Sequence, residues 1–531
     1  MLKIIKKVSF VKIFWVLFYL LMFSLLLKGG FSYLDPDLGW RLKVGEEISL
    51  TQQVPHQNLY NYTYTGNWVD HEWLSDFLVY KTYVTMGYEA VVIIFAFIIL
   101  LALIGLNLFI KKKLKGKTSF FIVAALELFG ILAALPHFGV RIQEIALLFL
   151  LAILVLIETY NKKDNWRYLL ILPPLFYLWA NLHASFLIGL VILFSWLGVK
   201  VIERIISKKE KYALFINKDK IINKSSSLIF LTFSLLSFLA TLITPYGLEL
   251  YGFLVGYKNK AYLSLIQEWL PQYSYPFYYN QVIYLALGTV VLIFIIYMGY
   301  RRQKKIDIWS VFLMSVFIIL SFKSRRHFPL FFIVSLPLMA EFYSKLFQDL
   351  KRVAYINWLK GITLLCLLLV IFVQVPSISP KSEPFKNYCL KYPCRAKDFL
   401  QENRQYLEGN IFNYYGWGGY FIWTMPEKKF FIDGRLPQIE LASKSFIEEY
   451  RSFFLKNENQ AEKLDEYNIS LIIIPATDKE IKPRKWESLI FNLKEKDLAA
   501  QNYLRKYLEN SVEWKLIYSD NTAHVYNKRS E

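Results

Sequence analysis

Residues 10–41 read FVKIFWVLFYLLMFSLLLKGGFSYLDPDLGWR, and the fold turns on the abrupt change of chemistry within them. The apolar run over 11–29, as a helix, is long enough to cross roughly 30 Å of hydrocarbon. Lys3, Lys6, Lys7 and Lys12 precede or open it and no small-residue cleavage site follows, so it reads as a retained anchor. Runs of the same kind recur at 88–110, 119–136, 142–160, 168–182, 185–203, 227–244, 281–299, 307–322, 328–346 and 358–375. A chain that is 55% hydrophobic exceeds the apolar share of an ordinary soluble domain, about 45–50%. The expectation is a polytopic α-helical membrane protein of about eleven transmembrane helices over 1–375, with a long external loop at 30–87. A soluble α/β domain over 376–531 follows it.

The formal net charge of +20 raises nucleic acid as a partner, but its distribution argues against that. Basic residues cluster between apolar runs, as the positive-inside rule requires of cytoplasmic loops. Threaded from a cytoplasmic N-terminus, the inner loops hold Lys111–Lys113, then Lys162, Lys163 and Arg167, then the Lys-rich stretch from Lys200 to Lys224. Arg301, Arg302, Lys304 and Lys305 follow, and then Lys351, Arg352 and Lys360. An odd number of spans in the inner membrane then puts the C-terminal domain on the extracytoplasmic side.

The polar chemistry gathers in the loops assigned to that outer side. Asp35 and Asp37 flank Pro36 directly after the first span. They read either as a reactive pair of carboxylates or as turn and capping chemistry. The same loop carries His71 and Glu72, and residues 40–50 and 72–84 show helical periodicity with Trp and Tyr. Arg141 sits in a short turn, Asn181-Leu182-His183 forms a polar break, and Glu268-Trp269 lies in a long aromatic loop. Lys323-Ser324-Arg325-Arg326-His327 opposes the orientation bias, which favours a phosphate site over snorkelling toward headgroups. Glu127 and Glu144 are acids at membrane depth, Glu144 one turn from Arg141.

In the C-terminal segment, residues 395–407 read as helix, Ile411–Tyr415 as a strand entering the glycine-rich turn Gly416-Trp417-Gly418-Gly419, and Lys429–Arg435 as strand into turn. A helix near 443–455, a buried strand at Leu471–Pro475 and a hairpin over 514–527 complete a small α/β layer domain. Trp417 reads as an exposed platform or as a packed ring, and Asp433 with Arg435 as site residues or as an ion pair holding the turn. Cys389 and Cys394 read as a short-loop disulfide or as two free thiols.

Asp35-Pro36-Asp37 with Arg41 and a following amphipathic helix resembles the first external loop of GT-C fold membrane glycosyltransferases. These include the oligosaccharyltransferase catalytic subunits and the dolichyl-phosphate-mannose-dependent mannosyltransferases. Asn413–Tyr420 followed by Phe431–Arg435 resembles the start of the oligosaccharyltransferase soluble domain, whose Trp-Trp-Asp-Tyr-Gly motif is not intact here, its acid position being filled by Gly418 or displaced. The second external loop has no Asp-x-Asp pair.

The resemblance implies transfer of a sugar from a polyprenyl-phosphate-linked donor to a lipid, glycan or protein acceptor at the outer face. Asp35 and Asp37 would be catalytic, and Arg325, Arg326 and Arg141 would bind the donor phosphate. His71, Glu72, His183, Glu268, Trp417, Asp433 and Arg435 would line the acceptor side. No cofactor is required by the sequence; a divalent cation, if present, would fall to Asp37 and Glu268. The rival readings are a transporter or lipid flippase, and a non-catalytic subunit of a cell-surface polysaccharide assembly system.

Overall fold

The computed structural model describes residues 9–208, 222–256, 260–301, 307–348, 357–375, 378–380, 382–437, 439–441, 444–456, 459–478, 483–491 and 502–529. Lys3, Lys6, Lys7, the middle of the 200–224 loop, Arg302, Lys304, Lys305, Lys351, Arg352 and the boundary expected at 375/376 lie outside or at the edge of the described residues. The chain divides into two compact units. The first is Met1–Tyr33, Glu89–Leu248 and Glu268–Pro380; the second is Leu34–Tyr88, Glu249–Gln267 and Lys381–Glu531.

The first unit is helical. Among the described residues seven helices are long and apolar enough to cross a membrane. They are Phe10–Ser32, Trp73–Lys113, Phe120–His137, Ile142–Lys163, Phe186–Ser207, Tyr279–Tyr300 and Arg325–Leu346. The other expected spans fall on shorter apolar helices, Leu172–Leu182, Lys224–Ala240, Ile308–Lys323 and Asn357–Gln374. At 168–182 the cause is visible: Pro173 and Pro174 open the α-helix, and the turn before them, Trp166–Ile171, is 3-10. The ends of helices Trp73–Lys113 and Ile142–Lys163, assigned to one side, meet at Glu158, which pairs with Lys113 at 3.5 Å and with Lys162 at 2.9 Å. Gly130 packs so tightly on Phe332 that a Cβ would overlap the ring. Glu127, which had no evident partner in sequence, is buried beside Tyr19 and Asn107.

The second unit is built on a four-stranded sheet of order β1-β4-β6-β5. Its strands are β1 (Asn410–Asn413), β4 (Ile469–Pro475), β5 (Trp514–Ser519) and β6 (Ala523–Lys528). A two-stranded β2 (Glu440–Leu441) and β3 (Lys444–Ser445) stands apart from it. β1 and β4 run parallel, while β5 and β6 form the expected terminal hairpin. Helix Phe446–Ser452 begins with a capping box of Ser445 and Glu448.

Two expectations for this segment need correction. Lys429–Asp433 is no regular strand; Phe430 makes only isolated bridges, to Asn61 and Ile411. Its backbone is occupied by the loop instead: Phe430 N donates to Tyr60 O at 3.0 Å, and Asn61 Nδ2 to Phe430 O at 3.2 Å. Residues 416–419 are not an open turn but the entry to helix Gly418–Thr424.

The loop after the first span therefore belongs with the C-terminal segment, not with the membrane helices as its place in sequence suggests. Thr63 Oγ1 donates to Phe431 O at 2.6 Å and Tyr62 Oη to Ile411 O at 3.3 Å, which ties the loop to β1 and to the segment beside it. The loop itself forms helix Leu38–Thr51 and the start of helix Trp73–Lys113, which bends at Gly87 (φ 82°). Only glycine takes that left-handed conformation without strain.

Candidate functional site

Asp35-Pro36-Asp37 closes on itself: Asp35 Oδ1 accepts from Asp37 N at 2.9 Å. Asp37 then stands at the N-cap of helix Leu38–Thr51 but makes no capping bond with its side chain. Its Oδ1 instead accepts from Trp40 Nε1 at 2.9 Å. Burial, and then the neighbouring Asp35 carboxylate, push the Asp37 carboxyl up to about 6. An acid in that range can exchange a proton near neutral pH.

Three glycines let the C-terminal segment reach this turn. A Cβ on Gly39 would overlap Gly419 O, one on Gly419 would overlap Pro36 O, and one on Gly434 would overlap Asp37 Oδ1. Gly434 lies in the Asp433-Gly434-Arg435 turn, where Arg435 Nε donates to Asp433 Oδ1 at 2.9 Å and Nη2 to Asp433 Oδ2 at 2.8 Å. The same Nη2 donates to Asn58 Oδ1 and Asn61 Oδ1, each at 3.0 Å. The guanidinium lies 4.7 Å from the ring centres of Tyr60 and Trp68. Asp433 and Arg435 thus form the ion pair that was one of their two readings, and it is buried.

Around Arg41 a second charged group assembles. Its guanidinium pairs with Glu72 and, at 2.8 Å, with Asp76, and lies 4.5 Å from the Trp40 ring centre. His71 Nε2 is 3.5 Å from Glu72, and its ring lies 5.6 Å from Phe253. Burial raises the Asp70 carboxyl to about 6. Helix Trp73–Lys113 can approach closely here because Gly45 has no Cβ to strike Asp76 O. Asp70 and Asp76 were missed as members of this group, although Glu72 and Asp76 sit at an (i, i+4) spacing that signals a shared face.

In the first unit the basic residues also meet. Glu268 takes Arg141 as an ion-pair partner, with Arg326 at 3.6 Å. Burial alone would raise the Glu268 carboxyl; Arg141 and Arg326 together outweigh it and hold it below the usual range. Arg326 N and Arg325 N donate to the carbonyls of Glu268 and Leu270 at 2.9 and 3.1 Å, so the Glu268 loop is laced to the turn after Lys323. Glu144, one turn from Arg141, accepts Gly139 N at 2.6 Å. Arg325 is buried, donates from Nη2 to Ser274 O and lies 4.6 Å from the Tyr278 ring centre. Its Nε and Nη1 are buried and find no protein acceptor among the described residues.

Two candidates have structural partners. His183 Nδ1 accepts Ser185 N at 2.9 Å and closes the turn before helix Phe186–Ser207. Trp417 is packed, not exposed, with Nε1 donating to Lys391 O at 3.0 Å. Gly418, beside it, needs its bare Cα because a Cβ would strike Ile432 O. Cys389 and Cys394 are bridged, with Cα atoms 5.2 Å apart.

The donor set does not fit a divalent cation on Asp37 and Glu268. The Glu268 carboxylate is already neutralised by two arginines, and Asp37 Oδ1 is held by an indole. Among the described residues no group of three or more His, Cys, Asp or Glu is arranged to hold a metal ion.

No protein-family model and no curated protein matches the chain. Solved structures do. The oligosaccharyltransferase of Archaeoglobus fulgidus in its apo form is 11% identical, with a TM-score of 0.51, over 89% of this chain and 70% of that one. The same enzyme tethered to an acceptor peptide is 12% identical, with a TM-score of 0.53, over 99% and 74%. A third structure of it, in complex with an inhibitory peptide and a dolichol-phosphate, is 12% identical, with a TM-score of 0.50, over 89% and 70%. The likeness spans most of the chain and shows a shared GT-C fold.

Proposed function

We propose that the chain is a membrane glycosyltransferase that moves a sugar from a polyprenyl-phosphate-linked donor to a lipid, glycan or protein acceptor on the outer face of the inner membrane. The observation that carries the reading is the buried Arg325, whose Nε and Nη1 have no protein acceptor, in a chain with the GT-C fold. A buried cation with open donors suits a phosphate, and charge-assisted bonds are roughly twice as strong as neutral ones. In this reading Arg325 holds the leaving phosphate, while Arg326 and Arg141, fixed by Glu268, add positive charge.

The acceptor atom attacks the anomeric carbon, the bond from that carbon to the phosphate oxygen breaks, and the acceptor proton passes to Asp37. Asp35 orients Asp37 through the backbone bond described above. His71 and Glu72 are assigned to the acceptor side, whereas Trp417, Asp433 and Arg435 support the site by packing. In this reading the chain crosses the membrane about eleven times from a cytoplasmic N-terminus, which leaves the C-terminal segment outside, and the Cys389–Cys394 bridge supports that side because disulfides persist in oxidising compartments.

Asp37→Asn tests the reading. It should fold and insert, bind donor normally and lose about 10²-fold or more in turnover. Full turnover in the Asp35→Asn, Asp37→Asn double variant would remove the base assignment.

A further inference from the structure

We propose that Gly434, in the Asp433-Gly434-Arg435 turn, is a positioning residue that sets the Asp37 carboxylate for proton transfer. The inference rests on the reading of Asp37 as the base, and it makes the C-terminal segment part of the machinery that activates the acceptor. The contact is specific: a Cβ at residue 434 would overlap Asp37 Oδ1, the same oxygen that accepts from Trp40 Nε1. Oδ1 is therefore held between an indole N–H and a glycine, and Oδ2 is the oxygen left to take the proton.

The glycine is there for space. Gly434 is not among the residues with positive φ, so the backbone does not demand it. The turn that presents it is rigid, because Arg435 bridges Asp433 to Asn58 and Asn61 of the loop that carries Asp37. Helix Gly418–Thr424 adds a second clamp, with Gly419 against Pro36 O and Gly39 against Gly419 O. The atom that a methyl group at 434 would strike is the far end of a short side chain, so the carboxylate can rotate away without disturbing the core. A displacement of about 1 Å in a catalytic group costs on the order of 10²-fold in rate. The substitution thus separates position from stability.

The experiment uses the full chain in lipid nanodiscs with indole-¹⁵N tryptophan, the Trp40 resonance being assigned by its loss in Trp40→Phe. In the parent this resonance titrates with Asp37, which burial and Asp35 push up to about 6. In Gly434→Ala the resonance moves and loses that titration, while the melting temperature stays near the parent's. With a polyprenyl-phosphate-linked hexose as probe and release of polyprenyl phosphate as readout, Gly434→Ala lowers kcat about 10²-fold. KM for the probe stays within about twofold, because the phosphate contacts are untouched. Leu508→Ala, a buried change elsewhere in the second unit, lowers the melting temperature but leaves the Trp40 titration in place.

An unchanged Trp40 titration in Gly434→Ala overturns the positioning role, as does a moved resonance with full kcat. If parent and Asp37→Asn release polyprenyl phosphate equally, the reading of Asp37 as base fails, whereas the Trp40 titration still shows whether Gly434 sets that carboxylate.

Discussion

Arg435 and Arg325 are both buried arginines in short turns, and they differ in what surrounds them. Arg435 has the Asp433 carboxylate bidentate on its Nε and Nη2, two asparagine oxygens and the faces of Tyr60 and Trp68. Arg325 has a backbone carbonyl and the Tyr278 ring, and among the described residues no carboxylate partner. A cation neutralised in place is bound into the fold. One left charged, with Nε and Nη1 meeting no protein acceptor among the described residues, has lost its hydration without a carboxylate to offset it, which accords with the phosphate-binding role proposed for it. The same residue type thus marks a joint in one unit and a candidate binding group in the other.

The comparison breaks most easily at Arg435. Arg435→Ala strands Asp433 in a buried setting and should cost about 3–5 kcal/mol. Thermal melting of the full chain in detergent measures this, and an unchanged melt would mean the joint is not a joint. Trp417→Ala belongs to the same closed region and should cost about 3 kcal/mol by cavity formation, with donor affinity intact.

Arg325→Ala should behave in the opposite way. It leaves no carboxylate uncompensated, so the melt should fall little, while affinity for a polyprenyl phosphate weakens by about 1.5–3 kcal/mol, roughly 10–150-fold. Arg325→Lys recovers only part of it, since the fork is lost. A melt as depressed as that of Arg435→Ala would erase the contrast.

The smallest effect is expected at Glu268→Gln, about 1 kcal/mol for a partly exposed group. Its carboxyl is held low in the folded state, because the two arginines outweigh burial. The stabilisation is therefore present above the ordinary glutamate range and lost as pH falls through the folded value. Parent and variant should differ in melting temperature at neutral pH and converge in acid.

Much of the first unit was legible because an apolar run of span length has few other homes. Seven of the expected spans coincide with long apolar helices, and the rest with shorter ones. The hairpin over 514–527 and the strand at 471–475 were legible from local alternation and burial. What stayed hidden was the partnership between the first loop and the C-terminal segment. Its contacts, such as Asn61 to Phe430, span 369 residues and run largely through backbone carbonyls, which leave no periodic mark. Glycines 39, 419 and 434 were visible as letters, but their meaning depends on what lies opposite. The Arg141–Glu268 pair, 127 residues apart, was hidden in the same way, whereas Asp433 and Arg435 are two apart and their pairing was among the readings.

The second unit is assembled from three stretches of chain separated by membrane helices. That arrangement sets a schedule for biosynthesis. The loop bearing Asp35 and Asp37 is made almost four hundred residues before the glycine turn that closes on it. At about 5–20 residues per second, the nascent protein carries an unfinished loop for roughly 20–80 s. Throughout that interval Asn58, Asn61 and the faces of Tyr60 and Trp68 lack Arg435. A chain released before residue 434 therefore keeps the Trp40 and Asp35 contacts of Asp37 but lacks the glycine turn that closes on its carboxylate.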